Sequence, residues 1–516
     1  MANHPSRIFW VHPILFGFYP ALALYVFNRE EIVFSAIQQA LITSFVIAAV
    51  VIAFFLMIFR SWQRAALPSS LTLLLFYSYG HVFDLVSNLN LFGAPIGHHR
   101  LLIPFWILLF VVGQIIFARM KSLAGLNRIF NTIVLFLMAF LLVQILSGFI
   151  QSKIAERNFA ESVSTGQETS SSDSVGRDVY YILVDAHSRS DLLKEKVNLD
   201  SSEFLSELKK LGFYIPDCAQ SNYDSTISSL SSTLNMEYLD TLGINYPANR
   251  ARFPLYIQEN LVMKRFKAMG YSTVTFKSLY PKLDLPDATY YYDYFKDVSV
   301  LDSQASLNFQ YLFLRTTLMR PLMQLIESNQ NVTLSPFWSA WIPASDTLNS
   351  RDFRQYQQNV FALDSLQKIP DLPGKKFVYA HLYVTHQPFV FYPDGRFHPL
   401  LPQIPEAYRD QVVFADKRLL EIVKTILAKS HPAPIIVIQG DHSYFKLADR
   451  VKILNAYYFP DGGDKSLYST VTPVNTFRLI FNTYYGGQYP LLPDISRYLD
   501  RKNSLKEAPS TCVNTH

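Results

Sequence analysis

The stretch Val179 to Asp185, VYYILVD, is six apolar or aromatic residues in a row closed by an acid. A run with no polar alternation predicts a strand covered on both faces, as in a parallel sheet flanked by helices. Working outward, SSEFLSELKKLGF (201–213) has its apolar residues at helical spacing. YSTVTF (271–276), KFVYAHLYV (376–384) and PIIVIQGD (434–441) read as further strands, and YRDQVVFADKRLLEIVKTILAKS (408–430) as a long amphipathic helix. Strands alternating with helices predict an α/β domain with a mostly parallel central sheet over 179–500, followed by a tail, 501–516.

Ahead of this domain the chain changes character. Half of its 516 residues are hydrophobic and only 17% are charged, against about 25% in an average soluble chain. Five apolar runs, at 9–27, 40–59, 69–88, 101–118 and 131–150, each approach the ~20 residues that cross a hydrocarbon core. They predict a transmembrane domain of five helices over 1–150. This region holds eight Lys/Arg against three acids, which is the entire net charge of +5. The balanced remainder offers no basic face for a nucleic acid. Arg7, Arg60, Arg64, Arg119, Lys121 and Arg128 occupy the amino terminus and two alternate loops, whereas the other loops carry only Arg29 and Arg100. That asymmetry predicts a cytoplasmic amino terminus and, after five crossings, an extracytoplasmic catalytic domain. The Ser/Thr/Gly-rich segment within 151–178 reads as a flexible linker.

In open α/β sheets the site lies at the carboxyl ends of the strands. Three polar clusters fall there: Asp185 in VDAHSRSD, His386 in THQPF, and the pair Asp441-His442 in QGDHS. Carboxylates and imidazoles converging from strand ends suit a divalent metal with mixed oxygen and nitrogen ligands, whether Mn, Zn or Mg. An acid after a strand also caps helices, so each cluster alone is a weak signal. A fourth stretch, SNYDSTISSLSSTLNM (221–236), has eight Ser/Thr among sixteen residues. One hydroxyl could act as a metal-activated nucleophile, and composition does not choose among the eight. His187, His381 and His398 are either additional ligands or, the reading preferred here, packed or surface histidines. FQYLFLRTTLMRPLMQLI (309–326) reads as a core helix kinked at Pro321, and Asn331-Val332-Thr333 as a chance sequon. Cys218 and Cys512, the only two cysteines, form either one bridge or two free thiols.

The ordered set VYYILVDAHSRSD, SNYDSTISSLSS, HLYVTHQPF and VIQGDHS resembles the alkaline-phosphatase/sulfatase superfamily. It looks most like the membrane-anchored branch of lipoteichoic acid synthases and phosphoethanolamine transferases. The resemblance covers nearly the whole chain. It implies a metal held by Asp185, Thr226, Asp441 and His442, with Thr226 as nucleophile and His386 near the leaving group. It further implies an integral membrane enzyme that passes a phospholipid-derived phospho-group (glycerophosphate or phosphoethanolamine type) to an envelope glycan or lipid through a phospho-threonine. One extra residue stands between Asp185 and Arg189 compared with many relatives, Ser443 replaces a common Gly, and Ser225 and Ser228 compete with Thr226 for the nucleophile's place. The two cysteines are fewer than in the disulfide-rich phosphoethanolamine transferases. No C/S-x-P-x-R stretch exists, so sulfatase chemistry through formylglycine is not expected. A hydrolase using water as acceptor, and a non-catalytic lipid sensor or scaffold, are the alternatives.

Overall fold

The computed structural model describes residues 10–29, 32, 34–87, 90–91, 94–95, 98–163, 176–244, 246, 253–295, 304–328, 351–398 and 404–513. The chain divides into two compact units, one of residues 1–150 with 297–351, the other of 151–296 with 352–516.

The first unit contains α1 (His12–Asn28), α2 (Gln38–Phe59), α3 (Trp62–Val86), α4 (His99–Arg119) and α5 (Ala124–Val163), one at each predicted apolar run. Five spans were expected; among the described residues three segments are long and apolar enough to cross a membrane, Phe34–Phe59, His99–Arg119 and Ala124–Gly148. Their outer surfaces expose Phe54, Met57, Leu108, Phe136 and Val143, a surface suited to lipid. In contrast α3 buries Ala65 to Ser70, Leu73, Tyr77 and Tyr79. Its serines are satisfied within the helix or by a neighbour: Ser69 Oγ donates to Ala65 O at 2.8 Å, and Ser70 meets the His12 ring. The helix α5 runs on to Val163, so the first part of the expected linker is helical; residues 164–175 lie outside the described residues.

The segment 309–326 is two helices, α11 (Gln304–Arg315) and α12 (Arg320–Ser328), instead of one kinked helix. Proline lacks an N–H and is tolerated in a first turn, so Pro321 begins a helix and does not bend one. Both helices belong to the membrane unit and not to the α/β unit: Phe309 and Phe313 pack with Ala21, Ile37, Ala40, Leu73 and Tyr77. A Cβ on Gly80 of α3 would meet Arg315 O at 2.2 Å. Only glycine permits that approach, and its N–H donates to Thr316 O at 2.9 Å. The sequon at 331–333 falls outside the described residues.

The second unit is built on a six-stranded sheet. In chain order its strands are β1 (Val179–Val184), β2 (Ser272–Phe276), β3 (Tyr290–Tyr292), β4 (Lys376–Leu382), β5 (Ile435–Gln439) and β6 (Asn455–Tyr458). The spatial order is β3-β2-β4-β1-β5-β6, parallel except for β6 against β5. Every residue of β1 is buried, and successive side chains alternate between faces. Tyr180, Ile182 and Val184 face a core with α7 (Ser202–Lys210), α13 (Arg351–Leu366) and α14 (Pro405–Lys429). Val179, Tyr181 and Leu183 face another with α8 (Thr226–Asn235), α10 (Leu261–Ala268) and α15 (Pro473–Tyr484). The short helices α6 (Ser190–Val197) and α9 (Phe253–Gln258) complete the set used here.

The cysteines are joined, Cys218 to Cys512, which resolves the two alternatives in favour of a bridge. Residues 501–513, expected as a tail, are largely exposed but anchored: β8 (Leu505–Glu507) pairs with β7 (Arg497–Leu499), and Arg189 donates to Thr511 O at 2.6 Å.

Candidate metal centre

Register brings the polar strand ends together. Val184 lies opposite Leu382 of β4, and Leu183 opposite Gln439 of β5. Asp185, His381 and Asp441 therefore emerge side by side from the three central strands. Their ligand-type atoms lie within 4.8 Å of one another, and all three residues are buried. The turn after β1 is tight, with Ala186 at φ 63°. Its N–H donates to Asp441 Oδ1 at 3.0 Å, which fixes one oxygen of that carboxylate. Gly440 is required beside it, because a Cβ there would lie 2.7 Å from His187 O.

His442 sits against both acids, with Nε2 3.8 Å from Asp185 Oδ1 and 3.5 Å from Asp441 Oδ2. Its Nδ1–H donates to Ser443 O at 2.9 Å, which leaves the Nε2 lone pair directed at the cluster. Ser443 itself bonds Ser188 Oγ at 2.9 Å, so a hydroxyl ties this loop to the one after β1.

The helix α8 begins at Thr226, whose Oγ1 lies 3.2 Å from His442 Nε2. Among the described contacts the neighbouring hydroxyls are committed elsewhere. Ser225 and Ser228 bond each other at 2.6 Å, Ser221 and Ser229 cap Tyr223 O, and Ser232 donates to Glu237 O. Arg450 fastens the loop ahead of α8 by donating to Asp224 O at 2.6 Å, while its Nη2 lies 3.3 Å from His442 Nε2. Thus a hydroxyl, a helix amino terminus and a guanidinium converge on one imidazole.

Two carboxylate oxygens, Asp185 Oδ1 and Asp441 Oδ2, are buried without a hydrogen-bond partner. Leaving an ionised oxygen unpaired in the interior is costly, and a divalent cation is what such a pair accommodates. Burial pushes the Asp185 carboxyl up, but the nearby His386 charge, the His381 hydrogen bond and His442 together hold it well below the usual carboxylate range. Burial lowers the His442 imidazole. A neutral imidazole has the lone pair that a metal requires. The donor set fits a divalent ion.

His381 is the residue that sequence reasoning set aside. Its Nε2–H donates to Asp185 Oδ2 at 3.0 Å, and its Nδ1 accepts from Tyr383 OH at 3.0 Å, which in turn bonds Ser278 Oγ at 2.7 Å. The signal was present: an imidazole inside a strand buried on both faces must have a partner. Arg450 was also missed, and nothing in its local sequence marks it. His386 is half-buried on the loop after β4, edge-on to Tyr280 and Tyr383. It influences Asp185 and His442 electrostatically without bonding to them in the described contacts. His187 instead pairs with buried Asp416 at 2.8 Å, and His398 packs on Tyr392.

No family model matches the chain, and no curated protein matches it. Among solved structures it is similar to the C-terminal periplasmic domain of EptC from Escherichia coli in complex with Zn, at 13% identity over 66% of this chain and 96% of that one, TM-score 0.39. It is similar to the integral membrane protein lipooligosaccharide phosphoethanolamine transferase A (EptA) from Neisseria meningitidis, at 10% identity over 92% and 95%, TM-score 0.36. It is also similar to the lipoteichoic acid synthase LtaP from Listeria monocytogenes, at 12% identity over 60% and 72%, TM-score 0.34.

Proposed function

We propose that the chain is a divalent-metal-dependent phosphotransferase of the cell membrane. In this reading it takes a phospho-group of glycerophosphate or phosphoethanolamine type from a membrane phospholipid and passes it to an envelope glycan or lipid. The observation that carries the reading is the convergence of two unpartnered buried carboxylate oxygens with the His442 lone pair and the Thr226 hydroxyl. Asp185, Asp441, His442 and Thr226 would hold the metal, and His381 keeps Asp185 oriented. When bound, the ion lowers the hydroxyl's pKa and offsets charge on the phosphoryl oxygens.

Thr226 attacks phosphorus in line, its P–O bond forming as the bond to the lipid alkoxide breaks. The α8 amino terminus and Arg450 hold the anionic group. His386 gives a proton to the departing oxygen. The acceptor hydroxyl then displaces Thr226 from the phospho-threonine, its O–P bond forming as the Thr226 O–P bond breaks and its proton returning to His386. In this reading the site lies outside the cytoplasm after five spans, which the asymmetry of basic residues between the loops supports.

Incubating the purified full chain with mixed phospholipids and a divalent metal, followed by intact mass measurement, tests the reading. A mass adduct is expected on the wild type and absent from Thr226→Ala, and its mass names the group. An adduct that persists on Thr226→Ala removes the assigned nucleophile. A protein that binds no divalent ion refutes the reading as a whole and leaves the non-catalytic alternative.

A further inference from the structure

The membrane unit contains a cavity of about 320 Å³ at the ends of α2 to α5 that carry the basic loops. It is unrelated to the metal centre. Its polar lining is one-signed: Arg64, Lys121 and Arg128 border it, and no carboxylate does so among the described residues. Phe59, Phe117 and Trp10 form the apolar part. The lining therefore combines cationic and aromatic groups, the two parts of an amphiphile's own chemistry.

Two features set hydrogen-bond donors at the border of this space. Trp10 is only 3% exposed, and its indole Nε1–H has no partner. An indole nitrogen donates and never accepts, so the missing partner is an acceptor. The cavity also takes in the first turns of two helices, α3 at Gln63 and Arg64 and α5 at Ala124. The N-cap of α3, Ser61, makes no side-chain cap bond. Helix amino termini present free N–H groups and a positive dipole end. An indole N–H without an acceptor, and three cations with no carboxylate beside them among the described residues, point to one ligand chemistry, a phosphate-bearing anion.

We infer that this cavity binds the headgroup of an anionic phospholipid, its phosphate between Arg64, Lys121, Arg128 and Trp10 and its acyl chains along the exposed apolar flanks of α2 and α4. The lipid is preferred over free phosphate because the cavity opens among apolar helix ends, where Phe59 and Phe117 give a soluble ion nothing to gain. Basic pockets between membrane helices on the cytoplasmic side recognise such headgroups, and the loop charges assign this end to the cytoplasm. The lipid so held is distinct from a donor consumed at the metal centre, and the inference stands whether or not the chain is a transferase.

The test is native mass spectrometry of the detergent-purified full chain titrated with phosphatidylglycerol, with phosphatidylcholine of the same acyl chains, and with inorganic phosphate. Wild type is expected to retain phosphatidylglycerol selectively. Arg64→Gln/Lys121→Gln/Arg128→Gln is expected to bind it roughly a hundred-fold more weakly, at about five-fold per basic group. Because removing loop charges can disturb insertion, Trp10→Phe serves as a charge-neutral variant, with an expected loss of about ten-fold or more from one donor to a charged acceptor. Equal retention of phosphatidylcholine, or wild-type affinity in both variants, overturns the inference. Inorganic phosphate binding as tightly as the lipid would assign the cavity to a free anion and overturn it as well.

Discussion

His381→Ala gives the most direct test of how the metal centre is held. In the structure Asp185 is fully buried, its Oδ1 is unpartnered and its Oδ2 has the His381 hydrogen bond at 3.0 Å. Removing the imidazole leaves both oxygens of one buried carboxylate without protein donors. A hydrogen bond to a charged group is worth about 1.5–3 kcal/mol, so metal-free protein should lose stability in that range. The metal-loaded form should lose stability too, by a different route: a partner that orients a ligating carboxylate typically contributes 10–100-fold in metal affinity. His381→Gln keeps a donor and should recover part of both losses. Metal affinity by competition with a chelator, beside thermal unfolding with and without metal, separates the effects. If metal affinity is unchanged in His381→Ala while stability falls equally with and without metal, His381 is a packing residue and the reasoning fails. If the affinity vanishes and Gln restores nothing, His381 is itself a ligand and not an orienting group.

Four further outcomes are expected. Thr226→Ser should keep adduct formation at a reduced rate, while Thr226→Ala abolishes it, as a metal-activated hydroxyl requires; equal loss in both would mean the threonine methyl, not the oxygen, matters. Burial lowers the His442 imidazole from 6.5, so the folded protein binds fewer protons there than the unfolded chain. Metal affinity should therefore be flat near pH 7 and decline only below about 6.5, where protons begin to compete; a decline already under way at pH 7.5 contradicts this. Gly440→Ala should cost about 1–3 kcal/mol, since its Cβ meets backbone and cannot be relieved by a rotamer, and wild-type unfolding behaviour would refute the close approach. Cys512→Ser should destabilise the α/β unit by about 2–4 kcal/mol, because the bridge to Cys218 closes a span of 294 residues; unchanged denaturation would show that the packed carboxyl-terminal segment holds without it.

Much of the sheet was legible because burial on both faces writes itself into composition. VYYILVD became β1, PIIVIQGD became β5, and the strand ends carrying Asp185 and Asp441 fell where the apolar runs stop. Neighbourhood was less legible. Periodicity reports that a residue is buried, whereas register decides what it is buried against, and His381 joins Asp185 only through the pairing of β1 with β4. The apolar 309–326 segment shows the same limit from another direction. Its pattern demanded a covering surface, but nothing local said that α2 and α3 would supply it. Among eight clustered hydroxyls, composition could not single out one; position at the first turn of α8 did. The cysteine pair was beyond reach for the simplest reason, since two thiols far apart in sequence carry no information about their distance in space.

The return of α11 and α12 to the membrane unit has a practical consequence for dissecting the chain. The α/β unit is not a continuous stretch: α11 and α12 lie within its sequence but pack with helices that precede it. A secreted fragment starting at residue 179 would carry Phe309, Phe313 and Met323 stripped of Ala21, Leu73 and Tyr77. Such a fragment would display a sticky apolar face in water. It would associate or precipitate for reasons unrelated to the metal centre, and replacing 304–328 with a short polar spacer should cure it.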